Sequence, residues 1–176
     1  MVFTNRYESP FGGITLASDG EALTGLWFDK QKYFGGTLSP ENDEKQLPVF
    51  EKTREWLDCY FGGSEPDFMP AVKLDGSEFR LAVWEILKQI PYGQRITYGE
   101  IAAEIARRRN VGMSAQAVGG AVGHNPISII VPCHRVVGTN GSLTGYAGGI
   151  ERKIGLLKLE RVNMEKLFVP KKRTAL

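Results

Sequence analysis

One segment divides this sequence into two parts with different patterns. Residues 64–76 (SEPDFMPAVKLDG) contain two prolines and mixed polarity, which is typical of a linker. Short runs of β-formers dominate before it, and helical apolar patterns dominate after it. The net charge also changes sign there, from −6 over residues 1–76 to +8 over residues 77–176. The sequence therefore predicts an α+β chain with one domain over 1–76, a second over 77–162 and a basic tail over 163–176.

The N-terminal part predicts a small antiparallel sheet followed by one helix. Three short segments, Val2–Glu8, Ile14–Ser18 and Leu23–Phe28, are rich in β-formers and are separated by Gly and Asp residues typical of turns. Residues Lys30–Lys45 are rich in Gly, Pro and polar residues, so we expect a loop. Apolar residues then recur at helical spacing over Leu47–Phe61, and a glycine pair is expected to end that helix.

The C-terminal part predicts mainly helices. Ser77 precedes an apolar stripe at helical spacing and is a candidate N-cap. Thr97 and Glu100 have the spacing of a capping box. The basic run Arg107–Asn110 is expected to form the loop that leads to a further helix, Ala115–Val122. Helix, loop and helix in a basic segment are similar to a helix-turn-helix, which is a common DNA-binding motif.

The positive charge of this part has two interpretations. A basic half-chain favours a polyanionic partner, and nucleic acid is the commonest one. The alternative is a solvated basic face without a partner.

The composition of the helix Ala115–Val122 is unusual for a recognition helix. Gln116 is its single side chain of the kind that reads base edges, and the rest is Ala, Gly or Val. Gly119 and Gly120 are poor helix formers, so their presence needs a reason. Either they allow tight packing against another helix, or they give a smooth surface that enters a groove without reading sequence.

Composition excludes several classes of protein. Of the 176 residues, 42% are hydrophobic, which is enough for a sizeable core. No apolar run approaches the roughly 18 residues that a membrane helix needs. The opening MVFTNRYESP lacks the pattern of a secretory signal, so Cys59 and Cys133 are expected to be free thiols in a reducing compartment. We therefore expect a cytoplasmic protein without membrane association.

Cys133 is the candidate nucleophile of the chain. Its apolar flanks indicate burial, and a buried cysteine is normally inert. Two neighbours argue for a reactive cysteine instead. His134 can act as a base or as a cation, and Arg135 adds positive charge, so both favour a thiolate. Neighbours in an extended chain point to opposite faces, so we expect His134 to act through a water. Glu160, within a predicted helix Ile150–Arg161, is the best group to orient the histidine.

Two further segments leave alternatives open. The Gly-rich stretch Thr144–Gly149 is expected either to bind phosphate through its N–H groups or to form a lid with Tyr146 over a pocket. Lys153 is either part of that pocket or a solvated lysine. Asn125, just after a predicted helix end, suits a turn with positive φ. A metal site is not expected, because two Cys and two His lack ligand spacing.

The motif Pro132-Cys133-His134-Arg135-Val136 resembles that of the methylated-DNA–protein-cysteine methyltransferases, which remove alkyl groups from O6 of guanine in DNA. Asn125-Pro126 upstream and Gly145–Gly149 downstream extend the resemblance. It is dense from about Phe79 to Glu160, and it implies an N-terminal ribonuclease H-like domain and a winged-helix-like second domain with a helix-turn-helix.

The resemblance implies a role for each matching residue. The partner would be double-stranded DNA, bound by a monomer through the minor groove largely without regard to sequence. A flipped O6-alkylguanine would lose its alkyl group to Cys133 irreversibly, once per molecule, without cofactor or metal. The implied catalytic residues are Cys133, His134, Glu160 and Tyr98. The implied substrate-binding residues are Asn125, Val136, Tyr146, Ala147, Gly148 and Lys153. The implied DNA-binding residues are Thr97, Tyr98, Ala115, Gln116, Ala117, Gly119, Gly123 and Arg135.

The sequence departs from the family's commoner pattern at three places. Gln116 stands where many members carry an arginine that fills the gap left by the flipped base. Ala147 replaces a serine found in some, and the loop Arg107–Met113 is a few residues longer than in many. Two other classes stay open: a thiol hydrolase using Cys133 and His134, which would turn over, and a winged-helix regulator, which would bind DNA without needing Cys133.

Overall fold

The computed structural model describes residues 1–171 and divides into two compact units. Unit 1 comprises Met1–Asp75 together with Pro126–Ser128, and unit 2 comprises Gly76–Asn125 and the chain from Ile129 onward. The predicted basic tail falls partly outside the described residues, because Lys172 and Arg173 lie beyond them.

Unit 1 contains a four-stranded sheet and one helix. Its elements are β1 (Val2–Ser9), β2 (Gly12–Ser18), β3 (Leu23–Phe28), β4 (Asn42–Glu44) and α1 (Pro48–Phe61). The strand order is β3-β2-β1-β4, with β1, β2 and β3 antiparallel and β4 parallel to β1. The three predicted strands and the predicted helix are confirmed. The loop predicted over Lys30–Lys45 is wrong in part, because it contains β4.

The outer edge of β3 is paired with two short segments of the same unit. Leu23 exchanges backbone hydrogen bonds with residues 71 and 73. Leu26 donates its N–H to the carbonyl of Pro126 (2.9 Å) and accepts from the N–H of Ser128 (3.0 Å). A sheet edge with unpaired backbone groups invites association with other chains, and these bonds cover it.

Unit 2 is mainly helical. Three of its helices begin at side-chain caps: Ser77 accepts from Arg80 N–H, Thr97 forms the predicted capping box with Glu100, and Ser114 accepts from Ala117 N–H. These caps satisfy backbone donors that have no partner within the helix. The elements are α2 (Glu78–Lys88), β5 (Ile96–Thr97), α3 (Tyr98–Arg109), α4 (Ala115–Gly123), a 3-10 turn (Cys133–Arg135), β6 (Val136–Val137) and α5 (Ile150–Leu159).

Three local predictions in unit 2 are wrong. Residues Arg107–Arg109 form the last turn of α3 rather than a loop, and the helix ends at Asn110 in a left-handed conformation (φ 52°). Arginine is a good helix former, so a basic run extends the helix as readily as it ends it. The predicted helix Ile150–Arg161 ends earlier, at Leu159, with Glu160 as its C-cap. The third, the conformation of Asn125, concerns the site described below.

Packing in unit 2 joins α5 to the segments on either side of it. Val137, Leu143, Leu157 and Val162 form a buried apolar cluster, and Ile150, Ile154, Met164 and Leu167 pack against it. On the other helices, Trp84 of α2 is buried and donates its indole N–H to the carbonyl of Ala121 in α4 (2.8 Å). This bond fixes the inner side of α4 to α2, so the opposite side faces outward.

Within residues 1–171, none of the helices has the length and apolar character needed to cross a membrane.

Candidate active site

Cys133 lies in a buried turn between α4 and β6. The 3-10 turn Cys133–Arg135 follows Pro132, and the N–H of Val136 donates to the carbonyl of Cys133 to close it. The residue is only 4% exposed. The chain is not extended here, because it turns immediately at Cys133. As a result, the side chains of Cys133, His134 and Arg135 spread around a turn and all three are buried in one region.

Asn125 holds the sulfur of Cys133 in place. Its side-chain N–H2 group donates to Cys133 Sγ (3.1 Å) and to the carbonyl of Val131 (2.8 Å). The positive φ expected for Asn125 is wrong: among the nearby residues it is Ile129 that has a left-handed conformation, with φ 70°. An asparagine is therefore suited to position 125 because its side-chain amide donates a hydrogen bond to the sulfur of Cys133, and not because of its backbone conformation.

His134, Glu160 and Arg135 form one buried hydrogen-bonded group. His134 Nε2 lies 2.6 Å from Glu160 Oε1. Arg135 donates through Nε to Glu160 Oε2 (2.8 Å) and through Nη2 to Glu160 Oε1 (2.9 Å). The structure thus brings Glu160 against the histidine, as the sequence predicted. Arg135, predicted to bind DNA, is buried here, and its guanidinium makes two hydrogen bonds to the buried carboxylate of Glu160.

Charge and burial oppose one another at Cys133. Burial raises the pKa of the Cys133 thiol, while the hydrogen bond from Asn125 and the charge of Lys153 lower it. Burial also lowers the pKa of His134, against the effect of Glu160, so the imidazole is neutral near pH 7. The backbone N–H groups of Cys133 and His134 also lower the thiol pKa, so His134 contributes through its backbone. A neutral His134 is suited to accept a proton.

Lys153 is part of the same site rather than a solvated lysine. It projects from α5, is fully buried, and donates from Nζ to the carbonyls of Val136 and of Thr144 (2.9 Å to the latter). Burial lowers the pKa of Lys153 to about 8.

Tyr98, at the start of α3, donates its hydroxyl hydrogen to the same Thr144 carbonyl (3.1 Å). Burial raises the pKa of Tyr98, so its hydroxyl keeps its proton.

The Gly-rich segment before α5 borders this site. The ring of Tyr146 lies 6.5 Å from the ring of His134, in an edge-on orientation. Gly148 is buried, and a Cβ atom at Gly148 would lie 2.6 Å from the Tyr146 ring, so only glycine allows this ring position. Ala147 is half-buried between them. Tyr146, Ala147 and Gly148 therefore lie on the side of the site that carries His134.

The outer side of α4 is a surface of small residues. Ala115, Gln116 and Ala117 are exposed, and Gly123 is half-buried. A Cβ atom at Gly120 would meet no described residue within 4 Å, so packing inside the unit does not require glycine there. Gly119, by contrast, is buried. Gly119 and Tyr98, both predicted to contact DNA, are therefore not on the exposed surface of α4 and α3.

The arginines at the end of α3 form ion pairs; Arg107 and Arg108 are exposed and Arg109 is half-buried. Arg107 and Arg108 contact Glu104 (2.9 and 2.6 Å), and Arg109 contacts Glu78 (2.8 Å). Exposed ion pairs contribute little free energy, so a polyanion can displace the carboxylates. Thr97 is half-buried at the cap of α3.

Sequence reasoning missed the role of Arg135 within the site. Charged residues are rarely buried without a partner, and Arg135 stands in the run from Ile127 to Val137, in which Ser128 and His134 are the other polar residues. That context was the available signal that this arginine needs a buried carboxylate. Within residues 1–171, no three His, Cys, Asp or Glu side chains are grouped so that they could hold a metal ion.

Comparisons with known proteins cover both parts of the chain. Residues 2–75 match the family model of the ribonuclease-like domain of 6-O-methylguanine DNA methyltransferase, and residues 78–162 match that of its DNA binding domain. The chain is 44% identical over 162 residues to a methylated-DNA–protein-cysteine methyltransferase of Haemophilus influenzae, covering 92% of this chain and 87% of that protein. It is 45% identical to one from Methanosarcina acetivorans, covering 88% and 95% of the two chains.

Solved structures agree with these matches. The crystal structure of Mycobacterium tuberculosis OGT in complex with DNA aligns with a TM-score of 0.78 at 42% identity, covering 90% of this chain and 92% of that one. The crystal structure of Mycobacterium tuberculosis O6-methylguanine methyltransferase aligns with a TM-score of 0.77 at 41% identity, covering 98% and 97% of the two chains.

Proposed function

Because the chain belongs to the 6-O-methylguanine DNA methyltransferase family, we propose that Cys133 is the residue that accepts the alkyl group. The activity is that of the family: DNA repair by transfer of an alkyl group from methylated DNA to a cysteine of the protein itself. The observation that carries the proposal is the Asn125–Cys133 contact of 3.1 Å, in the same buried site as the His134–Glu160 pair.

The first step is removal of the thiol proton. Since His134 Nε2 faces the carboxylate of Glu160, it carries the hydrogen, and Nδ1 carries the lone pair. Nδ1 takes the proton of Cys133 through one water molecule, and Glu160 stabilises the imidazolium that results. The amide of Asn125 and the charge of Lys153 stabilise the thiolate against the cost of burial.

The second step is displacement at the alkyl carbon. The bond from Cys133 Sγ to that carbon forms while the bond from the carbon to O6 of guanine breaks. The guanine anion takes the proton of the Tyr98 hydroxyl, which turns away from Thr144, and Tyr98 is reprotonated by the proton lost from the thiol. The products are guanine and a thioether on Cys133. No step in this sequence cleaves the new C–S bond, so each molecule reacts once.

The remaining site residues hold the guanine. The carbonyls of Cys133 and Val136 accept hydrogen bonds from its amino group; a carbonyl oxygen has two lone pairs, so Val136 can do so while Lys153 stays bound to it. Tyr146, Ala147 and Gly148 cover the base, with Ala147 contributing backbone contacts only. Asn125 joins this pocket to α4.

Residues 78–162 match a DNA binding domain, and the Mycobacterium tuberculosis relative is solved in complex with DNA, so we infer the mode of DNA binding here from α4. The exposed small residues Ala115 and Ala117, with Gly123 and Thr97, face the minor groove without reading sequence. The alkylated base leaves the stack, since its O6 substituent is not accessible to Cys133 inside the duplex. Gln116, exposed in the first turn of α4, takes the gap that the base leaves.

We also propose an oligomeric state, a location and a domain organisation. The protein acts as a monomer in the cytoplasm. It has a domain over residues 1–76, a DNA-binding alkyl-acceptor domain over 77–162 and a basic tail over 163–176.

The test is the intact mass of the protein after incubation with a duplex containing O6-methylguanine. We expect a gain of one methyl group per molecule, mapped to Cys133 by peptide analysis, and no reaction in Cys133→Ala. Cys59→Ala is the matched control and should react like the wild type, since Cys59 lies in α1 of unit 1. Release of several product molecules per protein molecule would indicate a thiol hydrolase. Full activity of Cys133→Ala would show that another residue accepts the group.

A further inference from the structure

The side chain of Arg135 is held on several sides inside unit 2. It is 7% exposed, and two of its nitrogens grip the two oxygens of Glu160 at 2.8 and 2.9 Å. Its third nitrogen, Nη1, donates to the carbonyl of Ile90 at 2.6 Å, just beyond α2. Glu160 also accepts from the N–H of Gly93 (3.3 Å) in the same connection. The carboxylate of Glu160 is therefore held by two segments at once, the 3-10 turn through Arg135 and the connection between α2 and β5 through Gly93.

This arrangement decides which oxygen of Glu160 meets the histidine. Oε1 accepts both from Arg135 Nη2 and from His134 Nε2, so the fork of the guanidinium sets the direction in which Oε1 points. A buried carboxylate held by a histidine alone tends to take up a proton, because burial disfavours its charge. An arginine remains charged throughout the accessible pH range and keeps the carboxylate ionised.

We propose that Arg135 is a positioning residue for alkyl transfer, which holds Glu160 as a carboxylate with Oε1 on His134 Nε2 so that His134 acts as the base through Nδ1. The inference rests on the proposed function of Cys133 and His134. It gives Arg135 a role inside the site in place of the DNA contact that the sequence predicted.

The pH dependence of the alkyl-transfer rate depends on the charged groups around His134 and Glu160. Glu160, Arg135 and Lys153 act on the imidazole, and the rings of Tyr146 and Tyr92 face His134 and Arg135, at 6.5 and 5.7 Å respectively. The charge of Arg135 lowers the pKa of Glu160 and also that of His134. Removing that charge raises both, and protonation of either group stops His134 from accepting the thiol proton. The acid side of the rate profile therefore moves to higher pH.

The experiment measures methylation of Cys133 by O6-methylguanine as the free base, followed by intact mass between about pH 5 and pH 9. The free base removes every contribution from DNA binding. We expect Arg135→Gln to move the acid limb upward by about one pH unit, which makes the rate on that limb about tenfold lower relative to the plateau. Arg135→Lys should move it less, since a lysine keeps the charge without the fork.

Two controls separate this role from a general loss of structure. Arg6→Gln removes an arginine that also forms a two-bond contact with a carboxylate, to Asp29 in unit 1, and should leave the profile unchanged. In a Glu160→Gln background, Arg135→Gln should shift the acid limb by much less, because only the direct effect of the Arg135 charge on His134 then remains. If Arg135→Gln does not fold, Arg135→Lys with and without Glu160→Gln gives the same comparison.

The outcomes are distinct. A wild-type protein that is not methylated at Cys133 would refute the proposed function itself. A reactive wild type with a variant slower by the same factor at every pH would overturn the inference, since that is the result of a purely structural role. An unchanged reaction with the free base combined with weaker duplex binding would also overturn it, and would return Arg135 to the DNA contacts.

Discussion

The hydrogen bond from Asn125 to the sulfur of Cys133 gives a quantitative prediction for Asn125→Ala. A hydrogen bond to a charged group contributes about 1.5–3 kcal/mol, so loss of the donor at 3.1 Å raises the pKa of the Cys133 thiol by about 1–2 units. Below the thiol pKa, the thiolate population then falls about 10- to 100-fold. A more basic thiolate is a better nucleophile, which restores roughly half of the loss on a logarithmic scale, so the net rate falls about 3- to 10-fold.

The same reasoning predicts that the two rate profiles cross. Above the pKa of the variant both proteins are fully ionised, and the more basic thiolate of Asn125→Ala reacts faster than that of the wild type. The assay is the rate of methylation by free O6-methylguanine against pH. Asn125→Asp is the matched variant, because it keeps the shape and replaces the donor with a negative charge; it should be slower than Asn125→Ala at neutral pH. Parallel profiles without a crossing would refute the argument that Asn125 acts through the thiolate population.

Three further predictions concern other residues. Gln116→Arg should speed transfer from duplex DNA but leave the reaction with the free base unchanged, because only the duplex has a gap to fill; rates at one fixed salt concentration check this, and an equal change in both would remove Gln116 from that position. For Glu160, burial raises the pKa, but hydrogen bonds from His134 and Arg135 outweigh it and lower the pKa to about 2. Since this pKa lies below its usual 4.5, the stabilisation is complete above pH 4.5 and is lost as the pH falls toward 2, so denaturation midpoints of the wild type should drop over that window and those of Glu160→Gln should drop less. Trp84→Phe removes the buried bond to the Ala121 carbonyl at 2.8 Å and should lower the free energy of unfolding by about 1–3 kcal/mol in urea titration; no change would show that the carbonyl finds another donor.

Local sequence signals predicted most of the elements because their causes are local. Ser77 and Thr97 cap helices through contacts three residues away, and apolar spacing marks the buried side of each helix. The strand β4 carried no such signal: Asn42–Glu44 is exposed and polar, and it pairs with β1. Its existence depends on residues some forty positions away.

The sequence predicted which residues meet at the site, but it did not predict that two charged side chains are buried there. The motif around Cys133 identified which residues meet, and Glu160 lies against His134 as expected. The burial of Arg135 and Lys153 was not predictable from composition, because such residues are usually on surfaces. Their partners, a carboxylate from the end of α5 and backbone carbonyls of β6 and Thr144, are brought near only by the fold.

The pairing of β3 with Pro126–Ser128 has a consequence for how the chain is made. A ribosome adds about 5–20 residues per second, so the nascent chain holds β1, β2 and β3 for some seconds before residues 126–128 appear. During that interval the backbone groups of Leu26 that later bond to Pro126 and Ser128 have no such partners. A fragment cut at residue 75 keeps that edge open permanently. The shortest continuous fragment that contains all of unit 1 is therefore residues 1–128.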